Sequence, residues 1–248
     1  MVSFYQSLME TNSYGEDLTY AVRGDVAIDG YPSLRLNSFS APTDQLPSAM
    51  LAALSVGRRF EQIYASSARL EGVRKIDLEV EALHGRLSTE IESARVSQPF
   101  ARAGETVMVE ASLRPFQGAV KNLRIPIALP ATLSPGALRI LLSDGATLDR
   151  LTGSYPGVEA PAGLNALIRE LNAQHADDRL YVTLLVPDAQ AVVDGRVLPS
   201  IPMSMANVLE PLRTNREMML NGESVLPVTS IPVQATLAGQ QIVNLIVQ

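Results

Sequence analysis

A two-residue hydrophobic period that returns along most of this 248-residue chain is the feature that most limits what it can fold into. Between Leu18 and Ile28 the apolar Leu18, Tyr20, Val22, Val26 and Ile28 fall on one parity, and Thr19, Arg23, Asp25 and Asp29 on the other. Successive side chains of a strand point to opposite faces, so this is a strand with one wet face. Gly24 interrupts the buried row and reads as a bulge. Asp29-Gly30 followed by Tyr31-Pro32 is a turn into a second strand around Leu34 and Leu36, and the chain therefore opens with a hairpin. The alternation resumes at Ile76, Leu78 and Val80, and again at Val107, Val109, Ala111 and Leu113, two half-buried antiparallel strands. Further strands follow at Leu123–Leu129, where Pro126 demands an edge or a bulge, and at Leu138–Leu142. The turn Ala103-Gly104-Glu105-Thr106 is of the kind that joins early strands of immunoglobulin-like domains.

Two stretches break this rhythm. Ala49, Ala53, Val56, Phe60 and Ile63 are spaced by fours and threes, which predicts an amphipathic helix over 47–64 with Pro47 in its first turn and Arg58-Arg59 on its solvated face. Leu164, Leu167, Ile168 and Leu171 predict a helix behind Pro161, followed by a strand at Leu180–Val186. Met205, Val208, Leu209 and Leu212 suggest a second short helix that Pro211 ends or kinks. Ile242–Val247 is a terminal strand whose apolar side chains would be badly exposed on a free tail, so it is expected to return to the sheet begun near Val73.

These elements give a mainly β fold with α+β elements. The expected organisation is an N-terminal hairpin-and-helix unit (1–72), an immunoglobulin-like β-sandwich (73–150), an α/β insertion carrying the helices (151–222), and C-terminal strands returning to the sandwich (223–248).

Composition narrows the function. Charged residues make up 19% with a net charge of −6 and both signs interspersed, which disfavours nucleic acid as a partner. The absence of cysteine removes disulfides, thiolate metal sites and a cysteine nucleophile together. Residues 1–10 have neither a basic start nor an apolar run, so no signal peptide is expected, and no stretch approaches a membrane span. A strand-like start without a leader suits either a cytoplasmic protein or a piece of a longer one.

No catalytic, cofactor or metal site is expected. A serine hydrolase needs a base beside its nucleophile, and only His84 and His175 are on offer. His84 reads as a turn residue between strands. Gly153-Ser154-Tyr155-Pro156-Gly157 lacks nucleophile-elbow spacing and reads as a loop. His175 with Asp177 and Asp178 is the one acidic-histidine cluster, but adjacent aspartates cannot both face inward from a regular strand. Asp144–Asp149 lacks the alternating ligands of a calcium loop. Tyr14, Tyr31 and Tyr155 would be the platforms of a glycan-binding alternative, in a chain without tryptophan. Met203, Met205, Met218 and Met219 are the candidate protein-contact residues, because exposed methionine makes an adaptable surface; core packing is the competing reading.

Segment order adds a resemblance. The hairpin around Gly24–Gly30, Phe39-Ser40-Ala41-Pro42, the helix ending Arg59–Tyr64, the turn at 103–106, Leu171-Asn172, Arg179–Val182 and Leu198–Ser204 together resemble the region downstream of the peptidase domain in bacterial proteins with a SpoIVB-type serine peptidase domain. That family's Gly-Ser-Gly-Ser-Pro-like and Phe-Gly-His-Pro-like runs do not occur here, so no catalytic residue carries over. The resemblance implies a non-catalytic accessory region in an exported, periplasmic or cell-envelope setting, with a peptidase domain or its substrate as protein partner. A stand-alone envelope ligand- or glycan-binding sandwich is the alternative.

Overall fold

The computed structural model describes residues 2–12, 15–65, 72–152, 163–187, 190–193, 196–198, 218–221 and 223–248. The chain begins with a helix, α1 (Val2–Thr11), where a strand-like start was expected. Its one buried side chain is Leu8, whose carbonyl accepts a hydrogen bond from the Tyr20 hydroxyl at 3.1 Å. The hairpin follows as β1 (Leu18–Ile28) and β2 (Leu34–Ser40), then α2 (Ser48–Ala65) and β3 (Val73–His84). The wet face of β1 is confined to its second half, since Thr19 and Ala21 are buried along with the expected apolar row.

Gly24 is not a bulge. It pairs in register with Leu36 on one side and Leu78 on the other, and the register shift falls later, between Ala27 and Ile28. Glycine is required because a Cβ there would stand 2.0 Å from the Asp77 carbonyl oxygen. A second correction concerns β3, which was expected to open the sandwich. It hydrogen-bonds to β1 along its length, completing a sheet of order β2-β1-β3.

Beyond it come β4 (Ser88–Val96), β5 (Phe100–Ala101), β6 (Thr106–Pro115), β7 (Lys121–Ala128) and β8 (Gly136–Ser143). Two helices follow, α3 (Gly145–Thr152) and α4 (Leu164–Ala173). The described residues continue through β9 (Arg179–Val186), β10 (Gln190–Val193), β11 (Arg196–Leu198), β12 (Met218–Asn221), β13 (Ser224–Pro232), β14 (Thr236–Ala238) and β15 (Gln240–Val247).

Two sheets, of order β14-β4-β6-β7 and β13-β9-β8-β15-β5, face each other across one core. Val107, Val109, Ala111 and Leu113 of β6 meet Ile140, Val182 and Leu245 there, as their alternation requires. Pro126 lies on β7, an edge strand, where its missing donor costs no ladder bond. β4 escapes the parity rule because its register shifts between Ile91 and Ser93.

The expected insertion is only partly separate. β9 sits inside the larger sheet between β8 and β13, and its Leu180, Val182 and Leu184 belong to the sandwich core. β15 does return to a sheet, pairing with β8 and β5 and not with the strand begun at Val73. Val243, Leu245 and Val247 point inward, while Ile242 and Ile246 stay about half exposed on the outer face.

A second core joins the N-terminal sheet to the helices. Leu34 and Leu36 of β2 pack with Ala52 and Val56 of α2 and with Leu167, Ile168 and Leu171 of α4. The period-3.6 apolar stripes of α2 and α4 are thus both spent on this one sheet.

Candidate functional site

Where the N-terminal layer meets the sandwich there is an open cleft of about 610 Å³. One wall is the end of β2 with the α2 face carrying Leu51, Leu54, Arg58 and Arg59; the other is the loop 174–177 with Asp149 of α3. Thr236, at the start of β14, closes one end.

The local sequence explains why these walls hold their shape. Asp144 caps α3, accepting the Thr147 N–H at 2.6 Å through Oδ1, while its Oδ2 accepts the Gly239 N–H at 2.7 Å. The segment rejected as a calcium loop is therefore a capped helix start tied to the turn before β15. One helical turn on, Asp149 is nearly buried and accepts from His175, with its Oδ1 at 2.6 Å from Nδ1 and 3.2 Å from the backbone nitrogen. The His175 ring meets Tyr181 edge-on at 4.7 Å, and the Tyr181 hydroxyl accepts the Ala176 N–H at 2.8 Å. The loop from His175 to Asp177 is thereby pinned to α3 and to β9.

Arg59 is not on a solvated face. It is half-buried and donates to the Leu171 carbonyl near the C-terminal end of α4, where an orphan acceptor and the helix dipole both favour a cation. Burial lowers its pKa from the usual guanidinium value, and the nearby Asp177 and Asp149 carboxylates oppose that shift. Asp177 is the most perturbed group in the cleft. Burial raises its carboxyl, Arg59 pulls it down, and Asp149, Asp178 and Asp144 push it up, to about 6 in all. Arg58 is exposed and has no ion-pair partner among the described residues.

His175 presents its Nδ1 to Asp149, and no described side chain hydrogen-bonds to its Nε2. The cleft hydroxyls of Ser40, Thr43, Ser55 and Thr236 make no hydrogen bond to His175. The arrangement leaves the His175 Nε2 available for a hydrogen bond with a ligand and offers Arg58 to an anion.

Sequence reasoning singled out His175 and Asp177, and the structure brings them together with Asp149 and Arg59. Asp178 is in the same loop, where its carbonyl accepts the Val233 N–H at 2.8 Å. His84 is exposed, 3.4 Å from Glu16, and is not among the cleft residues. Tyr31 packs on the N-terminal core. Met203, Met205, Tyr14, Tyr155 and the loop 153–157 lie outside the described residues, as does the helix expected at 205–212. Met218 and Met219 are on β12, opposite Val193 and Val192, with their side chains outside what is described.

Among the described residues no group of three or more histidine, aspartate or glutamate side chains could hold a metal ion, and no helix is long and apolar enough to cross a membrane. No family model, curated protein or solved structure matches the chain.

Proposed function

We propose that this chain is a non-catalytic accessory region that contacts another protein through the cleft, the partner being a SpoIVB-type serine peptidase domain or that peptidase's protein substrate. The observation that carries the reading is that the cleft runs along the second half of β2, the outermost strand of its sheet, between walls that mix apolar side chains with a cation, Arg58, that has no ion-pair partner among the described residues. Outermost strands offer backbone donors and acceptors to another chain, and mixed walls are typical of transient protein contacts. The segment order resembling the region downstream of such a peptidase supports the choice of partner, and with it a periplasmic or cell-envelope setting. The proposal takes the two-sheet sandwich as immunoglobulin-like, a reading supported by the antiparallel β4-β6-β7 ladder and the turn into β6.

The test is addition of the purified chain to a SpoIVB-type peptidase domain acting on a folded protein substrate. A saturable change in cleavage rate, or saturable binding to either protein, is expected. No binding and an unchanged rate would overturn the reading.

A further inference from the structure

The outward edge of β2 is closed at both ends by side chains and left open between them. Asn172 of α4 accepts the Arg35 N–H at 2.7 Å and donates to the Ser33 carbonyl at 2.9 Å, the two bonds a neighbouring strand would make. Further along the strand, the Thr236 hydroxyl donates to the Phe39 carbonyl at 3.2 Å and accepts the Ala41 N–H at 3.3 Å. Backbone groups of a strand alternate sides, so residues 33, 35, 37, 39 and 41 face away from β1. Four outward groups are left over: the Arg35 carbonyl, the Asn37 N–H and carbonyl, and the Phe39 N–H, none of which has a hydrogen-bond partner among the described residues. Asn37 is exposed, and both Asn37 and Phe39 line the cleft.

We propose that this open edge between Asn172 and Thr236 is a strand-addition slot, taking a short extended segment of a partner protein that carries a carboxylate where it passes Arg58. The inference rests on the protein-contact reading above and deepens it. An extended backbone is the ligand whose donors and acceptors alternate with the spacing of the four open groups. The capped ends set its length: from Arg35 to Phe39 the strand spans about 13 Å, room for roughly five residues. The charge follows from which cleft groups are already engaged. Asp149 is taken up by His175, Arg59 serves the Leu171 carbonyl with the largely buried Asp177 carboxylate offsetting its charge, and Arg58 is the exposed cation of the cleft without an ion-pair partner among the described residues.

The probe is a synthetic heptapeptide, Thr-Val-Thr-Glu-Thr-Val-Thr, compared with its central-lysine analogue and with a version N-methylated at the central residues, followed by amide hydrogen exchange and chemical shifts on the intact chain. The glutamate peptide is expected to bind and to slow exchange of the Asn37 and Phe39 amides. N-methylation removes donors and should weaken binding roughly tenfold. The lysine peptide should bind about fivefold more weakly, and Arg58→Glu, on an exposed helix position, should reverse that preference. Unchanged Asn37 and Phe39 exchange at millimolar glutamate peptide overturns the slot, as does equal binding of the N-methylated peptide. If the slot fails while the chain still alters the peptidase, the contact reading survives; protection of both amides without any effect on the peptidase leaves the slot and removes the accessory role.

Discussion

Asp149 holds His175 by ring and backbone at once, with its Oδ1 2.6 Å from Nδ1 and within 3.2 Å of the main-chain nitrogen. The residues are 26 apart in sequence, and their contact fastens the loop after α4 to α3. Asp149→Ala leaves the half-buried His175 main-chain N–H and ring nitrogen without their carboxylate partner. Urea unfolding should record a loss of about 1–3 kcal/mol, with faster exchange of the His175 amide.

Asp177 makes stability depend on pH. Its folded pKa of about 6 lies above the ordinary 3.8, so the folded state holds this proton more tightly than the unfolded chain does. Its contribution is fully present below about pH 4 and is lost as pH rises through 6. Asp177→Asn should remove that slope. Denaturation midpoints between pH 4 and 7 should show wild type losing on the order of 2 kcal/mol relative to the variant, after allowance for partial exposure. Parallel pH profiles would contradict the assignment.

Gly24→Ala should be among the most damaging small substitutions in the N-terminal sheet. The added methyl would meet the Asp77 backbone oxygen, which cannot swing aside as a side chain could. Forcing β1 and β3 apart should cost on the order of 3 kcal/mol, readable as a large fall in thermal midpoint. A bulge glycine would tolerate the change far better.

Much of this fold was legible because local periodicity and burial agree. The hairpin, α2, β6, the edge position of Pro126, α4 and the inward Val243, Leu245 and Val247 all follow from spacing that the tertiary structure respects. What failed was of two kinds. β4 was missed because its register shift breaks the two-residue period, and α1 because a single buried leucine leaves little signal. β3 and β9 were recognised as strands but assigned to the wrong neighbours, since alternation says which face is buried and nothing about which strand lies alongside. The site shares the second limit. His175 and Asp177 stood out in sequence, whereas Asp149 reaches His175 across 26 residues and Arg59 is brought beside them by its bond to Leu171, 112 residues away. Asn37 carries no side-chain signal at all, because its role lies in its backbone.

The terminal strand tests the sandwich. β15 lies between β8 and β5 and buries Val243, Leu245 and Val247, each worth roughly 1.5–3 kcal/mol. Removing residues 242–248 should abolish cooperative unfolding of the sandwich, a loss comparable with the whole stability of a typical domain. A truncated protein that keeps the full-length melting temperature would contradict this placement.

The absence of native cysteine permits the most direct test of the central claim, that the edge of β2 is where another protein is met. Asn37→Cys provides a single labelling site at an exposed position in the middle of the open edge. With an environment-sensitive fluorophore there, titration with a SpoIVB-type peptidase domain or its protein substrate should give a saturable change that the glutamate heptapeptide competes away. Saturable binding by either protein that leaves the fluorophore unchanged would place the contact elsewhere and contradict the account.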